Sequence, residues 1–152
     1  MRSFELNIFI DCQRRKVYDH LSEPINMIGL QPLLTEIDVL KEKRDEGNIL
    51  LRPFYMVETL RWMGFPVFRN KIYSVIRLTK PRDELEIRVH GRLKTDIIFR
   101  YMFKEFNDQR TQITQTIEFV YVNKLLEEIM FSRAKHAQRV LLSNLKVRLE
   151  KH

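Results

Sequence analysis

Cysteine occurs once in this 152-residue chain, at Cys12, so no disulfide can form within it. A lone thiol points to a reducing, cytoplasmic setting. Four glycines and five prolines are scattered along the sequence and never cluster into a linker, which argues for one domain over residues 1–152. No apolar run approaches the ~20 residues that cross a bilayer. The opening stretch Met1–Asp11 alternates apolar and polar residues, unlike the continuous apolar core of a secretory leader, so neither export nor a transmembrane segment is expected. His20, His90, His136 and His152 show no metal-ligand spacing, and there is no cysteine pair, Gly-rich phosphate loop or nucleophile elbow. No metal and no cofactor are therefore expected, and catalytic residues stay unassigned.

What is present is a globular balance, 44% hydrophobic and 31% charged, in a chain long enough to bury roughly 70% of its unfolded surface. The net charge is +7, and the segment from Lys124 onward carries seven basic side chains against three acidic. Such a balance raises nucleic acid or an anionic membrane as partners. It equally describes the solvated face of a terminal helix. The strands lack the spaced exposed aromatics of an RNA-recognition motif, which disfavours nucleic acid.

Periodicity orders the chain. Phe4, Leu6, Ile8 and Ile10 fall on one side of a strand, and Asp11 can cap a short helix through Leu21. Pro24 opens a second short helix carrying Met27, Ile28 and Leu30, with Gly29 and Pro32 ending it. Six strands follow: Thr35–Lys43, Ile49–Trp62, Val67–Lys80, Glu84–Leu93, Asp96–Phe106 and Thr111–Val122. Turn residues separate them, among them Asp45-Glu46-Gly47-Asn48. In the Glu84 and Asp96 strands, apolar positions such as Leu85, Ile87, Val89, Phe99 and Tyr101 alternate with charged ones. From Lys124 the period becomes helical, with Leu126, Ile129, Met130, Ala134, Ala137, Leu141, Leu145 and Leu149 on one stripe. A helix of that length reaches roughly 40 Å and needs a broad partner surface. The concave side of the sheet is the surface available.

This order resembles the helix-grip fold of the START-like (SRPBCC) superfamily, which includes polyketide cyclases/dehydrases and lipid-transfer domains. Local echoes are Ile10-Asp11-Cys12 followed by Val17-Tyr18, the hairpin Leu60–Pro66, and Gly91 to Tyr121 with its spaced Phe and Thr residues. Where the family has an Ala-Pro turn and a Val-Trp helix, this chain lacks Ala-Pro and has Tyr for Trp. The resemblance implies an α+β chain whose seven-stranded curved antiparallel sheet wraps a long C-terminal helix around an apolar cavity. It implies binding of a small hydrophobic ligand (lipid, isoprenoid or polyketide-like), with cyclase-type chemistry or an interaction module as alternatives.

The inward faces nominate the ligand-binding residues: Tyr55, Phe68, Asn70, Ile72, Ser74, Val89, Phe99, Tyr101, Gln115, Ile117 and Phe119 from the sheet, and Met130, Ala134 and Ala137 from the helix. The facing of Ile49–Trp62 stays open. Either Leu51, Tyr55 and Val57 point inward or Phe54, Met56 and Leu60 do, and a bulge near Pro53 could switch faces. Tyr55 is taken as inward; of Glu58 and Arg61, which flank it, one could be a buried acid or base, though a solvated charge is the expectation for both, and Glu58, Tyr55 and His90 are the candidates that cyclase-type chemistry would need. The hairpin Trp62-Met63-Gly64-Phe65-Pro66 is unusually apolar for a turn. It reads as a lid, a docking tip for protein or membrane, or packing against the helix. Trp62, Met63 and Phe65, with Met27 and Ile28, are the entrance candidates, and Arg61, Arg69, Lys94 and Lys124 could ring that end to meet anionic headgroups. His90 is expected on the wet face, and Cys12, despite Arg14, Arg15 and Lys16 nearby, as an inert thiol.

Overall fold

A computed structural model describes residues 2–91, 95–122 and 124–151, with the side chains at 2, 60–62 and 66–68 outside the description. The elements in chain order are β1 (Arg2–Ile10), α1 (Arg14–Leu21), a 3-10 turn (Pro24–Met27), β2 (Leu34–Val39), β3 (Lys43–Arg44), β4 (Leu50–Trp62), β5 (Phe65–Lys80), β6 (Glu84–His90), β7 (Asp96–Asn107), β8 (Arg110–Tyr121) and α2 (Glu127–Glu150). The strands form one antiparallel curved sheet in the order β1-β8-β7-β6-β5-β4-β2, with β3 paired to β4. There are eight strands where the sequence suggested seven, because Thr35–Lys43 breaks after Val39 and only Lys43–Arg44 rejoins β4. The second short helix is a single 3-10 turn, and α2 begins at Glu127 instead of Lys124.

Two other local expectations shift. Gln13, not Asp11, is the N-cap of α1, and it makes no side-chain capping bond. The Asp11 carboxylate is drawn to Arg110 at 2.8 Å instead, while its backbone N–H donates to Glu150 at 2.7 Å. The bulge anticipated at Pro53 lies elsewhere: β4 pairs with β5 in unbroken register from Leu51 to Leu60 and slips only between Leu60 and Arg61. Pro53 sits between the β4 segments that pair with β2 and with β3, so its missing N–H breaks no ladder bond to either. The Asp45 turn forms as its residues dictate. Asp45 Oδ1 accepts from the N–H groups of Gly47 and Ile49, and Asn48 adopts a φ of 64°.

Helix α2 lies on the inner face. Leu141, Leu142 and Leu145 are buried against Ile113, Ile117, Leu21 and Leu30, all at or near zero exposure. Ile129, counted on the apolar stripe, is 54% exposed. The helix's last turns are tied down by polar bonds. The Arg148 guanidinium donates to the carbonyls of Asn26 and Ile28 at 2.6 and 2.7 Å, and Asn144 donates to Leu30 O at 2.8 Å. Gly29 makes room for this clamp: at its φ of 89°, a Cβ would lie 2.7 Å from an Arg148 nitrogen.

The outer face carries charge instead. Arg77, Glu86, Arg100 and Glu118 form a row across β5 to β8, extended at one end by Asp45. A second row stacks Tyr55, Tyr73 and His90, whose Nδ1 lies 2.7 Å from an Asp96 oxygen. His90 is exposed, as its strand face implied. Among the described residues, no helix is long and apolar enough to cross a membrane.

Candidate functional site

The sheet curves away from the first half of α2, and a cavity of about 380 Å³ opens between them. The helix sequence sets its extent. On the stripe facing the sheet, Ala134 and Ala137 stand where Leu141 and Leu145 stand further along, so the small side chains leave space that the leucines fill. The rest of the wall is apolar: Met27 and Leu34 at one edge, Phe54 and Met56 from β4, Ile72 from β5, Ile87 and Val89 from β6, Ile97 and Phe99 from β7, and Met130 and Leu141 from α2.

Seven polar side chains interrupt this wall: Gln31, Glu58, Asn70, Thr95, Tyr101, Arg133 and Gln138. Thr95 donates from its hydroxyl to Met130 Sδ at 3.7 Å, and three others define the polar character of the wall. Gln138, buried on α2, accepts at Oε1 from Gln115 Nε2 at 2.7 Å and from the Tyr101 hydroxyl at 3.4 Å. Burial pushes the Tyr101 phenol well above its ordinary pKa, so it stays a neutral donor. Glu58 points inward from β4, between Leu34 on β2 and Asn70 on β5 in register. It is half-buried, and its carboxyl has no hydrogen-bond or ion-pair partner among the described residues. Desolvation raises its pKa above the ordinary glutamate value. Behind the wall, Ser74 Oγ and Gln115 Oε1 are buried without partners among the described residues.

Of the nominated ligand-binding residues, the structure brings Asn70, Ile72, Val89, Phe99, Tyr101, Met130, Ala134 and Ala137 to the cavity, and Met27 of the entrance group with them. Ser74, Gln115, Ile117 and Phe119 face the same side but are wholly covered and lie beneath the lining. Tyr55 is on the other face. Strand alternation puts Arg52, Phe54, Met56 and Glu58 inward, and Tyr55 meets Tyr73 at 5.4 Å between ring centroids, with Lys71 above its ring. Glu58, expected in solvent, therefore belongs to the cavity. Met63 and Phe65 are 78% and 73% exposed at the β4–β5 tip, Ile28 is 37% exposed, and none of the three is in the lining. The side chains of Trp62 and Phe68 lie outside the described ones. Cys12 is buried, its carbonyl accepting from the Thr111 hydroxyl.

Of the polar groups in the described wall, Gln31, Thr95, Arg133 and Gln138 were not nominated from the sequence, and Glu58 entered only as the lesser alternative to a solvated charge. Gln138 had a visible signal, since it follows Ala134 by four residues on the inward stripe and a glutamine there demands a buried partner. For Glu58 the signal was the alternation of β4, which became readable only once its facing was known.

No protein-family model matches the sequence, and no curated protein matches it either. Solved structures do match in shape. The Zhui aromatase/cyclase from a Streptomyces species superposes with a TM-score of 0.76 at 13% identity, covering 99% of this chain and 94% of that one. A START superfamily protein from Mycobacterium smegmatis gives 0.67 at 11% identity, over 98% and 97% of the two chains. The di-domain ARO/CYC BexL gives 0.71 at 16% identity, with 99% of this chain matching 50% of that one. The architecture is the helix-grip fold of these START-type structures. At such identities the likeness speaks for the fold alone.

Proposed function

We propose that the chain acts as one ligand-binding domain that takes a small hydrophobic molecule, of lipid, isoprenoid or polyketide-like character, into the cavity between sheet and α2. The observation that carries this reading is the wall itself. A cavity of about 380 Å³ is held open by Ala134 and Ala137, and its apolar lining is broken by a few polar groups. Ligand sites of roughly 300–1,000 Å³ combine these traits, the apolar surface supplying affinity and the polar groups setting orientation. The Gln138 amide N–H groups suit a ligand carbonyl and the Tyr101 oxygen a ligand hydroxyl, because the bonds from Tyr101 and Gln115 to Gln138 Oε1 already hold these side chains in place.

Two measurements test it. Native mass spectrometry of the purified protein, followed by organic extraction, is expected to release a bound apolar molecule. Thermal unfolding in the presence of a panel of fatty acids, isoprenoids and flat aromatic polyketides is expected to shift upward for at least one class. A ligand at a hundred times its Kd adds about 2.7 kcal/mol to the folded state. Ala134→Trp, which fills the cavity, is expected to abolish the shift. No extracted ligand together with no shift across the panel would refute the reading.

A further inference from the structure

Glu58 is built differently from a structural carboxylate. Carboxylates withdrawn from water are normally paired or hydrogen-bonded, yet this one faces an apolar cavity with no partner among the described residues. Leu34 flanks it from β2 and Asn70 from β5. From α2, Arg133 reaches the same lining. Arg133 and Tyr101 are the other ionisable side chains of the described wall.

We propose that Glu58 is a general base that removes a proton from a carbon acid held in the cavity, the substrates being flat hydrophobic molecules whose acidic C–H lies beside or between carbonyl groups. This rests on the cavity binding a hydrophobic ligand. In the step, the carboxylate takes the proton, and the C–H electron pair moves into the neighbouring carbonyl to give an enolate. Return of the same proton to another position of the substrate completes an isomerisation, with Glu58 restored and no oxidant, reductant or second reactant consumed. Arg133 is the cation of the described lining available to offset the enolate charge. A carboxylate poorly solvated by water is a stronger base than a surface one, and the raised pKa of Glu58 is in keeping with that.

The test uses nitrobenzisoxazole, a flat apolar carbon acid. A base removes its ring C–H, the N–O bond breaks, and a coloured cyanonitrophenolate is released. Binding of the neutral fluorophore N-phenylnaphthylamine is measured in parallel. Wild type and Glu58→Gln are expected to bind the fluorophore alike, while kcat/KM for elimination falls about a hundredfold in the variant. The wild-type rate is expected to rise with pH through an inflection above the ordinary glutamate range, a profile absent from the variant. Equal elimination rates at equal fluorophore affinity would overturn the base while leaving the cavity reading intact. Failure of the wild type to bind fluorophore or substrate would overturn both. Should Glu58→Gln not fold, Glu58→Asp keeps the charge but withdraws it, and about a tenfold loss is expected; an unchanged rate would overturn the proposal.

Discussion

Glu58 and Glu86 are carboxylates on opposite faces of one sheet, both drawn away from bulk water. Glu86, on the outer face, is only 5% exposed, but Arg77 and Arg100 approach it from the two neighbouring strands at 3.4 and 3.5 Å. Arg100 continues to Glu118, so the charge is neutralised within a row that crosses four strands. Glu58, on the inner face, lies between Leu34 and Asn70 at the edge of a mostly apolar cavity and has no ion pair among the described residues. The outer face fits a structural use of charge, in which each group is satisfied by cross-strand neighbours. On the inner face stability comes from packing, and among the described residues Glu58 at the cavity wall and the Ser74 and Gln115 oxygens behind it have no counterpart to the ion pairs of the outer row.

The contrast breaks most easily where packing is densest. Leu145 is fully buried on the inward face of α2, at the end of the helix where leucines replace the cavity-forming alanines. Leu145→Ala is expected to cost about 3 kcal/mol, by lost burial plus the hole left behind. Ala137→Leu, which adds bulk where space already exists, is expected to change stability by less than about 1 kcal/mol and to weaken apolar-ligand binding. Urea denaturation checks both. Equal losses from the two substitutions would mean that the hollow and the filled ends of the helix are not physically distinct.

Charge on the outer face comes next. Glu86→Gln removes the negative centre of the row and leaves Arg77 and Arg100 facing each other's charge. A buried pair broken from one side costs several kcal/mol. Both arginines, however, are about a third exposed, so screening reduces the expected loss to about 1–2 kcal/mol. A double-mutant cycle with Arg100→Ala should return a coupling of about 1 kcal/mol. A coupling near zero would show the row to be a juxtaposition without energetic content.

The same contrast explains what the sequence could disclose. Strands β6, β7 and β8 place mostly apolar residues on one side and mostly charged or polar ones on the other, because one side meets α2 and the other meets water, so their facing was legible. The strands themselves, the long helix and the Asp45 turn followed from periodicity and turn chemistry, while the curved sheet around the helix was implied by the resemblance. Strand β4 was not legible, because Phe54, Tyr55, Met56 and Val57 make both faces apolar. Its outer face is covered too: Val57 is 8% exposed and Thr59 7%, beside β2, and Tyr55 packs on Tyr73. With no wet face there is no alternation to read. That ambiguity displaced Tyr55 from its true side and favoured a solvated Glu58 over a buried one. The cavity's dimensions were beyond the pattern altogether, since they depend on how far the sheet bends from Ala134 and Ala137.

The smallest effect is also the one whose sign discriminates best. An unpaired carboxyl in an apolar wall opposes folding when ionised, so Glu58→Leu should stabilise the protein, where Glu86→Gln destabilises it. A fully buried unpaired polar group costs about 1–3 kcal/mol, but Glu58 is only half-buried, so a gain on the order of 0.5 kcal/mol is expected. Its pH dependence follows from burial raising the folded-state pKa above the unfolded one. Between those two values the folded protein holds a proton that the unfolded chain has released, so stability falls as pH rises through that window. Below the ordinary glutamate pKa both states are protonated and the penalty vanishes. The difference in unfolding free energy between Glu58→Gln and wild type should therefore grow with pH from the ordinary glutamate range upward, then level off. A difference that is flat with pH, or that shrinks, would mean Glu58 is as well solvated in the folded chain as in the unfolded one, and the two carboxylates would no longer differ in kind.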